Sequence, residues 1–326
     1  MPNTSWERLR ILPIEAPPYD LPIRFSEHVR QIRSIARLLS SRRKPSRKPR
    51  LGFTPCSLVL QRRDRRTRAE GSSRRMKHRD RLGCFEVAQN EVRRLDLVGK
   101  AAGDIDVYRQ YQRRNSFGLD PDMKLYRIFQ EHFYELDVNA GCLTLPRATA
   151  TVWSDPLENP LASVTQPDSA TSMTVHLGSV VSSFYALCWT RRDFPTKADW
   201  DSFSHGGPAV RIATTVGKLL DRVMLMSDPC YMHRSWVIDV DYKAPGLISQ
   251  MKTPSEVLAR METTGAKLAL SAAIIRTGFS DEDEVRFLFD NGIHPPSAAV
   301  ATSTSPDLLR LPFDWSDFVD NAIRYP

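Results

Sequence analysis

Long apolar runs are missing from this chain. The best of them, Leu268 to Ile275, is about eight residues long and reads as a buried helical turn, whereas a membrane-spanning helix needs roughly 20. The opening, Met1 to Asp20, has no continuous apolar stretch and is broken by Glu7, Glu15 and repeated proline, so no secretory signal is read there. Cysteine is scarce as well: Cys56, Cys84, Cys142, Cys188 and Cys230 are all there is in 326 residues, and no two form a Cys-x-x-Cys pair. This excludes a disulfide scaffold and fits reduced thiols in a cytoplasmic protein. Cys230 and His233 have a ligand-like spacing, but no second pair accompanies them, and no metal is expected.

Acidic residues are scarce in one part only. Residues 1–122 hold 28 Lys+Arg, 24 of them Arg, against 14 Asp+Glu, while residues 123–326 hold 18 against 24. Between Arg42 and Arg81 there are 16 basic residues opposed by Asp64, Glu70 and Asp80 alone, with Pro, Ser and Gly between them. Such a stretch buries too little apolar surface to offset its ordering entropy. Residues 1–122 therefore read as a disordered basic extension in which 42–81 binds polyanions such as nucleic acid. A short amphipathic helix precedes that cluster, with Ile32, Ile35, Leu38 and Leu39 on one face. The same composition also fits an over-extended reading frame, and the sequence leaves the two readings open.

From Met123 the pattern turns globular, and residues 123–326 are expected to form one domain. Strands are predicted over Lys124–Phe129, Gly141–Leu145, Val180–Trp189, Ala209–Ala213, Trp236–Tyr242 and Val285–Phe289. Helices are predicted over His132–Val138, Ala198–Phe203 and Thr215–Met226. Another runs from the Thr253/Glu256 capping box, with Pro254 at its first position, toward Arg276, and a last one lies around Phe318. The sum is an α+β fold, a mixed and mostly antiparallel central sheet with flanking helices.

Three places carry more than packing. Arg127, beside Tyr126, stands inside the opening strand, where a guanidinium fork can hold a phosphate or carboxylate. Ser182 and Ser183 put hydroxyls into the most apolar strand, where each must find a partner or turn to a cavity. Strand alternation puts Glu282, Glu284 and Arg286 on one face and Val285 and Phe287 on the other. Two carboxylates on one face repel unless Arg286, a sugar hydroxyl, a metal or water relieves them.

The order Leu125-Tyr126-Arg127, Ser154-Asp155-Pro156-Leu157-Glu158, Ser182-Ser183-Phe184, Trp200 with Gly206, Val240-Asp241-Tyr242 and Glu282-x-Glu284-x-Arg286 resembles the bacterial domain-of-unknown-function 2971 family. The likeness covers residues 123–326; Ser154 and Phe279 depart from the usual Asn and Trp, and Ser182-Ser183-Phe184 lacks the usual Cys-Phe-Ser order. That family has no established activity, so the likeness implies a fold and no reaction. The same chain also resembles the arginine-serine-glutamate ADP-ribosyltransferases. That likeness implies NAD as substrate, with Arg127 and Tyr126 on the NAD, Ser182 at the nicotinamide ribose, Glu284 stabilising the developing cation and Glu282 orienting the acceptor. Protein or nucleic acid would be that acceptor.

Two other classes stay open on the residues. A metal-dependent nuclease would use Asp155, Glu158, Glu282 and Glu284 as ligands. A non-enzymatic partner-binding module, of the kind used in phage-defence or toxin systems, would present the acidic pair as a recognition patch.

Overall fold

The computed structural model describes residues 78–100, 103–149, 158–167, 174–176, 178, 181–228, 230–260, 264–292 and 307–325. In chain order the elements are α1 (His78–Leu97), α2 (Ile105–Asn115), β1 (Lys124–Gln130), α3 (Glu131–Ala140), β2 (Cys142–Pro146), β3 (Thr165–Pro167), β4 (Thr174–His176) and β5 (Phe184–Thr190). There follow α4 (Lys197–Ser204), β6 (Ala209–Thr215), α5 (Val216–Val223), α6 (Tyr231–Arg234), β7 (Ser235–Asp239), β8 (Asp241–Lys243), α7 (Pro245–Gln250) and α8 (Pro254–Arg260). The chain closes with α9 (Ala266–Ala272), β9 (Ile274–Arg276), a 3₁₀ turn (Thr277–Glu282), β10 (Glu284–Asp290), β11 (Leu308–Pro312) and β12 (Asn321–Tyr325).

Six strands form the main sheet in the order β12-β6-β1-β5-β10-β7, every pairing antiparallel. Among the two-stranded pairs, β2–β11 and β3–β4 are antiparallel and β8–β9 is parallel. The fold is the expected α+β class with a mostly antiparallel sheet.

The sheet is uneven. β1 pairs with β6 along its whole length, from Lys124↔Thr215 to Gln130↔Ala209, and β5 pairs with β10 from Glu284↔Thr190 to Asp290↔Phe184. Between β1 and β5, however, the register holds at Tyr126↔Thr190 alone. Beyond that pair the strands part. At the far end β5 meets the chain that follows β2, through the Arg147↔Tyr185 bridge and a 2.8 Å bond from Ala148 N to Phe184 O. At the near end Arg127 donates across the gap to the Cys188 carbonyl.

Each face of the sheet has its own core. On one, Leu125, Phe129, Leu187, Trp189, Val237 and Phe287 pack under Leu219, Leu220 and Val223 of α5. That helix carries its apolar residues at i, i+3, i+4 and i+7 from Val216 and is capped by the Thr215 hydroxyl, which accepts from Lys218 N at 3.2 Å. On the other face Ala186, Trp236, Ile238 and Leu288 pack against Phe85 of α1 and Ala269 and Leu270 of α9.

The fold begins before Met123, the domain start expected from composition. Phe85 stacks on Phe117 at 5.5 Å and lies 6.2 Å from Trp236, and the buried Arg114 guanidinium sits over Phe85 and Trp236 at 4.7 and 5.1 Å. Phe85, Ala88, Val92 and Leu95 form an apolar stripe of helical period. A charge count over residues 1–122 averages that stripe away. The expected disorder and polyanion binding upstream of residue 78, and the helix around Ile32, lie outside the described residues.

Other boundaries move for local reasons. The long helix expected from Thr253 toward Arg276 is two helices, because Gly265 takes a left-handed conformation (φ 74°) and β-branched Ile274 and Ile275 pair with β8. The strand expected from Val180 starts at Phe184, and Ser182 and Ser183 lie in the turn before it. Trp236–Tyr242 breaks at Val240 into β7 and β8. No helix forms around Phe318. Phe313, Trp315 and Phe318 pack edge to face, the Thr214 hydroxyl donates to Phe318 O at 2.8 Å, and the chain is drawn into β12 at the sheet edge. Among the described residues no helix is long and apolar enough to cross a membrane.

Candidate active site

Where β1 and β5 part, the sheet opens on a cavity of ≈ 290 Å³. Tyr126, Arg127 and Ile128 of β1, Cys188, Trp189 and Thr190 of β5, and Glu284 and Arg286 of β10 line it, joined by Arg211 of β6, Glu158 and Glu282. Arg192, Pro195, Asp199, Phe203 and Phe279 also line it.

The strand period puts Glu284 and Arg286 into the cavity and Val285 and Phe287 into the core, as expected. Glu282 arrives differently. It ends the 3₁₀ turn, and Asp283 follows with φ 49°, a left-handed step that lets Glu282 and Glu284 line one cavity although only Glu284 is in the strand.

Arg286, 1% exposed, is fully engaged. Its Nε donates to Glu284 Oε1 at 2.8 Å, Nη1 to Ala272 O at 2.7 Å and Nη2 to Glu158 Oε2 at 3.3 Å. Burial pulls its pKa down, but Glu284, Cys188 and Glu158 outweigh this and raise it. Arg127 differs. Its Nη1 holds the Cys188 carbonyl, while its Nε is buried with no hydrogen-bond partner among the described residues. Desolvation lowers its pKa, opposed by Cys188 and Glu284, and a guanidinium stays charged regardless. Arg192 also has a buried Nε without a partner among the described residues, although its other nitrogens reach Asp281 O (2.9 Å) and the Asp199 carboxylate. Arg211 donates to Arg192 O at 2.7 Å and stacks over the Tyr126 ring at 4.1 Å. A buried donor without an acceptor costs about 1–3 kcal/mol, which an anionic ligand would recover.

The acids are equally uneven. Burial, then the charges of Glu284 and Glu158, push Glu282 up to about 7, against the pull of Arg286 and Arg192. Burial, then Glu284, holds the Cys188 thiol well above the ordinary range, so it is a packed neutral thiol rather than a nucleophile. The Thr190 hydroxyl donates to Glu282 O at 2.6 Å and accepts from Arg192 N at 3.1 Å.

Of the residues singled out in the sequence, Tyr126, Arg127, Glu158, Glu282, Glu284 and Arg286 meet in this cavity. Ser182 does not. It precedes β5 at the end opposite Thr190, with the whole strand, about 20 Å long at about 3.3 Å per residue, between them. There its carbonyl accepts from Arg147 Nε at 2.7 Å. The arginine-serine-glutamate order is thus present in the chain but only two of the three converge. Trp200 stacks on Tyr325 at 4.9 Å and packs with Ile128 and Ala209, serving the fold. Asp155 lies outside the described residues.

Sequence reasoning missed Cys188, Thr190, Arg192 and Arg211. Arg211 carried a legible signal, since a cation inside the apolar strand Ala209–Thr215 is the feature that drew attention to Arg127. Among the described residues no group of three or more His, Cys, Asp or Glu is arranged to hold a metal ion. Compared with protein-family models, curated proteins and solved structures, the chain matches none.

Proposed function

We propose that the cavity binds NAD and breaks its nicotinamide–ribose bond, as an ADP-ribosyltransferase-like enzyme. The observation that carries this reading is that Arg127 of β1, whose buried Nε has no partner among the described residues, and Glu284 of β10, on the far side of β5, line one cavity. Arg127 and Arg192 would take phosphate oxygens. The size of the cavity suits the nicotinamide–ribose end better than the whole dinucleotide. As the glycosidic bond breaks, nicotinamide leaves with the bonding electrons and positive charge develops on the ribose. The Glu284 carboxylate, held by Arg286, is the fixed countercharge for it. The acceptor oxygen or nitrogen then bonds to the anomeric carbon, and its proton passes to Glu282, a carboxyl that titrates near neutrality. With water as acceptor the products are nicotinamide, ADP-ribose and a proton. Among the described residues no serine lines the cavity to take the role expected of Ser182.

Two features weigh against the other classes. A nuclease needs its carboxylates free for a cation, whereas Glu158 and Glu284 both contact Arg286. A recognition patch needs its acids outward, whereas Glu284 is 4% exposed.

The test is nicotinamide release and NAD binding by the full chain. Turnover should fall about 100- to 1,000-fold in Glu284→Gln with NAD binding retained. Absence of both NAD binding and nicotinamide release in the unmodified protein removes the reading.

A further inference from the structure

The triplet Glu282-Asp283-Glu284 faces two ways. Its outer members line the cavity, while Asp283 is gripped from behind: Arg191 Nη2 and Nε donate to its two oxygens at 2.5 and 3.3 Å, and Arg191 N donates to its carbonyl at 3.1 Å. Arg191 Nη1 in turn lies 3.6 Å from Asp239 Oδ2, and Asp239, 1% exposed, is ion-paired with Arg81 of α1, also 1% exposed. Asp239 is in register with Val285, the residue that faces away from the cavity next to Glu284. The grip steadies a left-handed residue, since Asp tolerates that conformation better than most side-chain-bearing residues but still adopts it at a cost relative to glycine.

We propose that Arg191, Asp239 and Arg81 form a positioning chain that fixes the left-handed turn at Asp283 and so holds the Glu282 and Glu284 carboxyls inside the cavity. None of the three lines it. α1, which composition assigned to the basic extension, thereby becomes part of the site's support. The proposal rests on the cavity being the working site, but its test does not use NAD.

The probe is the Glu282 carboxyl, which faces Glu284, Glu158, Arg286 and Arg192. In full-length protein carrying ¹³C-labelled glutamate carboxyls, its signal is assigned by its loss in Glu282→Gln, and its titration is followed with pH. The unmodified chain should titrate near 7. In Arg191→Gln the turn is released, Glu282 reaches water, and its midpoint should drop by more than one pH unit. Arg191→Lys should keep most of the upward shift. The charge-matched pair Arg81→Met with Asp239→Asn avoids an uncompensated buried charge and should give an intermediate midpoint with the circular dichroism spectrum retained. Arg94→Gln, which removes an exposed pair with Glu91 on the same helix, should leave the midpoint unchanged. A midpoint unmoved in both Arg191→Gln and the double variant overturns the proposal, whatever the protein does with NAD. Loss of NAD turnover in every form, with the midpoint moving as stated, would instead count against the reaction alone.

Discussion

The two ends of the β5–β10 ladder are built from the same two strands, yet they treat polar groups oppositely. At the far end donors and acceptors close turns: Asn291 N donates to Ser183 O at 3.0 Å, Gly292 N to Asp290 Oδ1 at 2.8 Å, and Arg147 Nε to Ser182 O at 2.7 Å. Gly292 is required there, since a Cβ would come within 2.8 Å of the Ser183 side chain. At the cavity end Glu284, Arg286 and Cys188 sit inside the protein, and Arg127 and Arg192 keep buried donors that nothing among the described residues accepts. The unmatched donors beside a matched ion pair are groups that an anionic ligand would satisfy. Polar residues in a central strand therefore say little until it is known at which end of the strand they lie.

The contrast can be broken from the cavity end first. Replacing Arg286 by Met leaves Glu284 and Glu158 facing each other without their shared cation, and should cost about 3–5 kcal/mol of stability, read as a lower urea midpoint. A cost under about 1 kcal/mol would mean that water enters the cavity freely enough to replace it.

A smaller effect sharpens the same contrast through pH. The native state holds the Glu282 proton up to about 7, whereas an exposed glutamate releases it near 4.5. Its contribution to stability is complete below the lower value and is lost as pH rises to the upper one. Because the group is partly solvated, the loss should be about 1–2 kcal/mol rather than the full value of the shift. Thermal melts between pH 4.5 and 7.5 should show that slope flatten in Glu282→Gln; an identical slope in both proteins places the titration elsewhere.

The smallest effect belongs to the far end. Ser182→Ala leaves the backbone bond to Arg147 in place and should change stability by under about 0.5 kcal/mol and NAD turnover not at all. A large loss of turnover in this variant would restore the three-residue constellation and overturn the contrast itself.

Much of the sheet was legible in the sequence because strand period and burial agree there: β1, β6 and β10 lie where alternation and β-branched residues put them. The cavity half of the site was legible for the same reason, since Arg127, Glu284 and Arg286 are polar residues inside strongly apolar strands. Ser182 was misplaced because an apolar run does not mark where its strand begins, and the ladder starts two residues later at Phe184. The helices before Met123 were hidden by arithmetic, because arginines averaged over a long window mask an apolar stripe such as Phe85, Ala88, Val92 and Leu95. Arg81 shows the cost of that average: one of the 16 cations of an apparently unstructured cluster is among the most deeply buried side chains described. Nothing in one sequence tells a solvated arginine from a buried one whose partner stands 158 positions away.

The junction at Tyr126 and Thr190 makes the sheet, mechanically, two leaves on one pin. β12, β6 and β1 form one leaf and β5, β10 and β7 the other, each laced along its length, while among the described residues one registered pair joins them. A load that would have to unzip a full ladder elsewhere meets one registered backbone pair here, backed by the Arg127 bond to Cys188 O and the shared core. Backbone amides beside that pair should exchange with solvent sooner than those inside either leaf. A swing about that pin would uncover Arg127 and Cys188 and leave both leaves intact.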